Sequence, residues 1–252
     1  MPGKDILAKK SGKFWFITFN RPERKNAIAI SNYGLILEIL KTANDDPETV
    51  FTVFTGNGDF FSSGNDFSPE SIATATEEGG IGYDKMIASL IDHRKILIGL
   101  VNGPAIGVAC TMLALFDYVV ASEKAYFLCP FTAFGLNPEG TSSLSFQTIM
   151  GYPQAARLAL FAEKITAEEA FRIGYISKVM SHKEFTTGTQ EILKNFDKLA
   201  PQSLLASKEL MRGQEWRKKM HEINEKEKAA LNERFSSEET LERIMKRFGS
   251  KI

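Results

Sequence analysis

The pattern of apolar and polar positions divides the chain into two stretches. Up to about residue 180, short β-type runs alternate with helical patterns. FWFITF (14–19), VFTVFT (50–55), residues 96–101 and YISKVM (175–180) are rich in aromatic and β-branched side chains and predict strands. Two shorter strands are expected at 117–121 and 125–129. Between them, residues 31–43 predict a helix with Leu35, Ile36, Ile39 and Leu40 behind an N-cap at Ser31. Further helices are expected over 83–92, 107–116, 141–150 and 153–162, with Thr141, Ser142 and Ser143 as candidate caps. TAEEA has the form of a capping box, Thr166 accepting from the first turn and Glu169 bonding back. From residue 183 onward no strand is evident, and SSEE (236–239) precedes a last helix ending near Gly249. This tail carries Trp216, Met220, Ile223, Leu231 and Phe235 amid many charges, so it packs on its own core or against another subunit.

Strands alternating with helices imply a parallel sheet with helical crossovers, an α/β fold. Residues 68–82, with Ser, Thr, Glu and three glycines, read as a mobile loop. A length of 252 residues suits one large domain or a domain with an appendage. The 31 basic and 31 acidic residues cancel, which removes any electrostatic reason to expect nucleic acid or an anionic membrane. No stretch reaches the roughly 18 uncharged apolar residues of a membrane span, and MPGKDILAKK has no apolar signal core. Cys110 and Cys129 sit in apolar runs and read as buried free thiols of a reducing compartment.

Candidate chemistry is narrow. There is no His/Cys cluster with metal-ligand spacing, no P-loop or dinucleotide fingerprint and no nucleophile elbow, so neither a metal nor a nucleotide cofactor is expected. His93, His182 and His221 read as ordinary. Two glycine turns stand out, FSSGND (61–66) and NGPAIGVA (102–109), each following a strand. Main-chain amides on two adjacent loops can converge on one oxygen, the requirement for an oxyanion hole. The third element is GLNPEG (135–140), which places one carboxylate, Glu139, after the nearly uncharged stretch AYFLCPFTAF. Glu139 is either an ordinary loop acid or a general base in an apolar pocket. Asn65 and Asn102 are turn formers near these segments.

The segments NRPERKNAI, FTGNGDFFSSGND, VNGPAIGVACTMLALFDYVVAS and TAEEAFRIGYISKV together resemble the crotonase, or enoyl-CoA hydratase/isomerase, superfamily over about residues 8–250. Within it, SSGND and LNPEGTSS resemble the peroxisomal Δ3,Δ2-enoyl-CoA isomerase branch. The resemblance implies a crotonase-type spiral of repeated ββα units over 1–195, with a C-terminal helical region (196–252) for packing and oligomerisation. It also implies a homotrimer or hexamer and an acyl-CoA thioester as substrate, with coenzyme A entering as part of that thioester. By motif position it places the oxyanion-hole amides at Ser63 and Val108. Ser62, Ser63, Gly64, Asn65 and Asp66 are then expected to line the substrate, and Lys25, Ala27 and Ile28 to contact its CoA portion, with Arg21 and Arg24 adding charge for the phosphates. The two glutamates of a typical hydratase fall at Thr111 and Phe131, neither of which transfers protons as a carboxylate does. Glu139, at the isomerase position, remains as the acid.

The expected activity is therefore movement of a 3-enoyl-CoA double bond to the 2-trans position in unsaturated fatty-acid β-oxidation. The alternatives are another crotonase reaction, hydration or thioester hydrolysis, and a non-catalytic acyl-CoA-binding subunit. Ser250–Lys251–Ile252 differs by one residue from the S-K-L address. With the resemblance, it leads to an expectation of the peroxisomal matrix, reached through the import receptor. Mitochondrion and cytoplasm are the alternatives.

Overall fold

A computed structural model describes residues 5–68 and 82–249. The loop expected at 68–82 and the SKI tripeptide fall almost wholly outside these described residues.

The principal sheet has six strands in the order β1-β2-β3-β4-β6-β9. β1 (Ile6–Ser11) pairs antiparallel with β2 (Phe14–Phe19). From β2 onward, through β3 (Phe51–Gly56), β4 (Ile96–Val101), β6 (Tyr118–Ser122) and β9 (Lys178–Met180), every pairing is parallel. A second, smaller sheet contains β5 (Ala105–Ile106), β7 (Tyr126–Leu128) and β8 (Ile165–Thr166). Isolated bridges Ser62↔Ala105 and Ile28↔Asn65 extend that second layer. Successive repeats thus send one long strand to the first sheet and one short strand to the second, the crotonase-type α/β spiral, before the chain ends in helices.

β1 escaped the sequence reading because only Ile6 in ILAKKS is fully buried; an edge strand needs little apolar surface. β3 and β4 are buried on both faces, as expected for parallel strands covered on two sides. Their alternation splits two cores. Phe54, Leu97 and Val101 join the main core, whereas Val53, Ile98 and Leu100 join a smaller one with Phe185 and Leu193.

Among the described residues the helices are α1 (Asn32–Asp45), α2 (Tyr83–Ile91), α3 (Val108–Thr111), α4 (Ser142–Met150), α5 (Tyr152–Ala159), α6 (Ala167–Arg172), α7 (Phe185–Phe196), α8 (Pro201–Met211), α9 (Gln214–Phe235) and α10 (Glu238–Gly249). Three local expectations are corrected. Ser31 does hold the N-cap position of α1, but with right-handed helical dihedrals and no side-chain cap. The helix expected over 107–116 is one α turn followed by a 3-10 turn, Met112–Leu115, with all eight residues buried. Only half of the capping box forms: Thr166 accepts from the Glu169 amide at 3.2 Å, but the Glu169 carboxylate turns to Arg157 at 2.7 Å. The tail is not a separate body, since Met220 and Leu231 sit in the main core with Trp216 and Phe235 packed on it. Cys110 and Cys129 are buried free thiols. Among the described residues no helix is long and apolar enough to cross a membrane.

Candidate active site

A cavity of about 250 Å³ opens between the turns that follow β3, β4 and β7. Its wall is mostly apolar, with Phe67, Leu128, Phe131, Phe134, Leu136 and Phe235. Ser63, Asn65, Val108 and Glu139 also line it, so residues from three separate segments meet at one place.

The first turn is built by main-chain pairing. Phe61 and Ser62 amides donate to the Pro104 carbonyl at 3.1 and 3.2 Å, and Ile106 donates back to Ser62 at 3.0 Å. On the other side Ile28 donates to Gly64 at 2.8 Å and Asp66 donates to Ile28 at 3.0 Å. Gly64 has φ +84, and a Cβ there would lie 2.6 Å from the Ile106 carbonyl oxygen, so the two turns approach as closely as glycine permits. Ser62 is fully buried; its hydroxyl accepts from the Gly64 amide at 3.1 Å and does not reach the cavity.

The two expected oxyanion donors differ in their present state. The Ser63 N–H donates to the Lys25 carbonyl at 3.0 Å. The Val108 N–H lies in the first turn of α3, where amides lack intrahelical acceptors, and it has no acceptor among the described residues. Asn65 accepts a short hydrogen bond from the Tyr33 hydroxyl. Asp66 is tied to Arg21 at 3.0 Å and accepts from the Ser68 amide at 2.9 Å. Burial pushes the Asp66 carboxyl up, but those two partners outweigh it and leave it below its usual range.

The residues expected to meet CoA lie outside the cavity wall. Ile28 is buried in the main core. Lys25, left-handed at φ 55, is exposed, with its ammonium 5.4 Å from the Phe60 ring centroid. Arg21 is not available for a phosphate: besides Asp66 it holds the Ala27 carbonyl at 3.0 Å. Asn102 is a staple, accepting from Gly56 at 3.0 Å and donating to Gly58 at 2.7 Å. His93 is structural, buried beside the Thr52 hydroxyl at 2.8 Å, and burial lowers it to about 3.

Glu139 is 4% exposed, and its carboxylate has no hydrogen-bond partner among the described residues. Burial, reinforced by the nearby Glu227 carboxylate, pushes its pKa up to about 8. Its carbonyl is fixed by Ser142, whose hydroxyl donates at 2.7 Å. The next two residues are both left-handed, Gly140 at φ +68 and Thr141 at φ +66. For β-branched Thr141 this costs about 1–2 kcal/mol. A Cβ on Gly140 would lie 2.5 Å from the Thr111 hydroxyl, so position 111 is close-packed against the turn that carries Glu139.

The sequence reading missed what holds this turn. Thr141 makes no side-chain cap for α4. Instead the Glu227 carboxylate, from α9, accepts from the Thr141 amide at 2.6 Å and the Ser143 amide at 2.7 Å. The Gly135 carbonyl accepts from Arg234 at 2.8 Å and from the Thr240 hydroxyl at 2.9 Å. The available signal was a charge on an apolar stripe: Met220, Asn224, Glu227 and Leu231 recur at helical spacing and are the buried face of α9.

Among the described residues no group of three or more His, Cys, Asp or Glu is placed to hold a metal ion. The cavity therefore offers a buried carboxyl, an unengaged main-chain amide and an apolar wall.

Comparison with known proteins agrees over nearly the whole chain. The family profile described as Enoyl-CoA hydratase/isomerase matches residues 9–251. "Enoyl-CoA delta isomerase 2" of Rattus norvegicus is 42% identical over 247 residues, covering 96% of this chain and 63% of its own length. "Enoyl-CoA delta isomerase 3, peroxisomal" of Mus musculus is 41% identical, covering 94% of this chain and 75% of its own length. The chain thus spans less than two thirds of the rat relative's length and three quarters of the mouse relative's. An enoyl-CoA hydratase/isomerase crystal structure from Pseudoalteromonas atlantica T6c superposes with a TM-score of 0.87 at 29% identity, covering 98% of both chains. With its two-layered spiral, its paired glycine turns and this match over residues 9–251, the chain belongs to the enoyl-CoA hydratase/isomerase, or crotonase, superfamily.

Proposed function

We propose that this protein is an enoyl-CoA isomerase that moves the double bond of a 3-enoyl-CoA to the 2-trans position. The observation that carries this reading is Glu139, a buried carboxyl on the wall of an apolar cavity, whose burial pushes its pKa up to about 8. A general base works best when its pKa lies near the operating pH.

In the proposed reaction a thioester carbonyl acidifies the C2 proton, and a neighbouring C3 double bond makes that proton allylic. The Glu139 carboxylate takes it, and the electron pair delocalises through C3–C4 and onto the thioester oxygen as a dienolate. The Val108 N–H receives the developing charge; Ser63 joins it when its N–H is shared with, or turned from, the Lys25 carbonyl. Each such donor is worth roughly 3 kcal/mol in the transition state. Protonated Glu139 then returns the proton at C4, leaving the double bond between C2 and C3. One group serves both transfers, so a second acid is unnecessary. The Thr111 and Phe131 side chains, at the positions implied for hydratase glutamates, supply no carboxylate for activating water.

The names of the rat and mouse relatives support the isomerase reading, and the mouse name also supports a peroxisomal setting. The substrate is then the acyl-CoA thioester of unsaturated fatty-acid β-oxidation, with Lys25 and Arg24 as exposed cations for its phosphates. Exposed Tyr152, Phe161 and Phe171 on and around α5 and α6 support self-association as a homotrimer or a hexamer of two trimers. The test is isomerisation of a 3-enoyl-CoA by the wild-type chain and Glu139→Gln. Near-wild-type turnover in that variant removes Glu139 from the chemistry, and hydrated product alone removes the isomerase reading. Imaging of the N-terminally tagged chain with and without residues 250–252 tests the location; a diffuse signal in both rejects the peroxisome.

A further inference from the structure

Glu227 is a carboxylate that the proposed chemistry does not use, yet it is 6% exposed and sits in the buried face of α9. A charged residue is almost never placed there without a partner that needs it. Its partners are two main-chain amides, Thr141 at 2.6 Å and Ser143 at 2.7 Å, one on each oxygen. Its own carbonyl also meets the Asn137 side chain at 3.4 Å. These contacts bracket Glu139 on both sides in sequence.

α9 is itself anchored at this level. Three residues before Glu227, Asn224 donates to the Asp84 carbonyl at 3.0 Å. One residue after it, Lys228 pairs with the Asp84 carboxylate at 2.7 Å. The clamp therefore stands on α2 and the main core. What it clamps resists its conformation: Thr141 is left-handed, and its buried hydroxyl has no hydrogen-bond partner among the described residues. A residue in that region persists only where its surroundings over-determine it.

We infer that Glu227 is a positioning residue for Glu139: reaching in from α9, it fixes the turn 139–143 and sets a second acidic group beside the base. The inference rests on the reading of Glu139 as the base. Two consequences follow. The turn keeps the Glu139 carboxyl aimed into the cavity without a hydrogen bond to that carboxyl. The second acid opposes ionisation of the first, which agrees with the upward direction for Glu139; Glu227 is itself raised by burial, against the pull of its amide bonds. The other titratable groups facing Glu139 are Tyr33 from α1, Tyr83 from α2 and Cys129 after β7. All three are pushed upward, burial being the first cause, and stay neutral through the relevant range. Asp84, paired with Lys228, and Glu225 complete the charged surroundings of Tyr83.

The experiment uses the full-length protein with Glu227→Gln and Glu227→Asp, and a 3-enoyl-CoA as substrate. E227Q removes the charge and one of the two acceptors. Its kcat falls by up to about 100-fold through misplacement of the base, while KM stays within about twofold. The acid limb of its kcat/KM profile moves to lower pH, because Glu139 ionises more easily without a like charge nearby. E227D keeps the charge at shorter reach, so kcat falls but the limb stays. A merely structural clamp would lower stability in both variants and move the limb in neither. An E227Q profile superimposable on wild type after scaling overturns the inference. An infrared titration of the Glu139 carboxyl, assigned by the band lost in E139Q, reads the same shift without turnover. If the wild type shows no isomerisation, or E139Q retains it, the functional reading has failed; the infrared titration then still decides whether Glu227 acts on Glu139.

Discussion

Two of the loops that meet at the cavity are held in opposite ways. FSSGND is held by backbone: its amides and carbonyls pair with Pro104, Ile106, Lys25 and Ile28 as extensions of the second sheet. The turn 135–143 is held by side chains from α9 and α10, separated from it by 84 to 105 residues along the chain. Main-chain pairing depends little on which side chain is present, and it leaves the first loop with its polar groups largely satisfied. The second loop contains a left-handed Thr, a buried unpaired hydroxyl and a carboxyl without a partner among the described residues. Unsatisfied and strained groups of this kind are costly and concentrate where chemistry is done. A rigid, satisfied loop suits a fixed wall against which substrate is placed; a strained, externally clamped one suits a base whose ionisation must stay difficult.

The largest effect that tests this contrast belongs to Glu139. In E139Q, isomerisation is expected to fall by about 100- to 10,000-fold in kcat, read with saturating 3-enoyl-CoA. Wild-type kcat/KM should rise with pH toward a plateau with a midpoint near 8, since the base must be ionised. Stability should run the other way. The folded protein holds the Glu139 proton more tightly than the unfolded chain, so this contribution is present below pH ~4.5 and is lost as pH rises through about 8. E139Q should therefore gain stability over wild type as pH climbs through that window, by on the order of a few kcal/mol at most, read as a rising difference in Tm. A constant Tm difference across the window would place Glu139 in water instead.

Gly140→Ala comes next. Its Cβ meets Thr111 at 2.5 Å in a backbone that L-residues avoid. A loss of about 2 kcal/mol in denaturant unfolding is expected, with kcat reduced. Lys25→Glu should raise KM roughly fivefold, about 1 kcal/mol, with kcat unchanged. An unaltered dissociation constant for acyl-CoA removes Lys25 from the phosphate site. The smallest effect is expected in the first loop. Asp66→Asn weakens a partly exposed pair with Arg21 and should cost less than about 1 kcal/mol. Because the Asp66 carboxyl is held low, its contribution is present above its unfolded value and lost only as pH falls through the folded one. A loss of activity in Asp66→Asn comparable with that in G140A would erase the distinction between the two loops.

Much of the architecture was legible because it is local. Strands FWFITF and VFTVFT, the small-residue turn at NGPAIG and the Thr166 cap all depend on residues within a few positions of one another. β1 was hidden because an edge strand carries little apolar signal, and Ser31 because a capping residue type does not ensure a capping geometry. Glu139 could be singled out by its uncharged surroundings, but Arg21 could not be separated from Lys25. Only the fold shows the one turned inward to Asp66 and the other turned out.

By itself the sequence determined the alternation of strand and helix, the two glycine turns and the solitary acid between apolar segments, because periodicity, turn chemistry and charge are properties of neighbours. The tertiary structure alone decided that Glu139 is buried against the cavity, that Val108 and not Ser63 has its amide unengaged, and that Glu227 reaches across from the tail. Burial and long-range hydrogen bonds bring together atoms whose separation along the chain leaves no periodic trace.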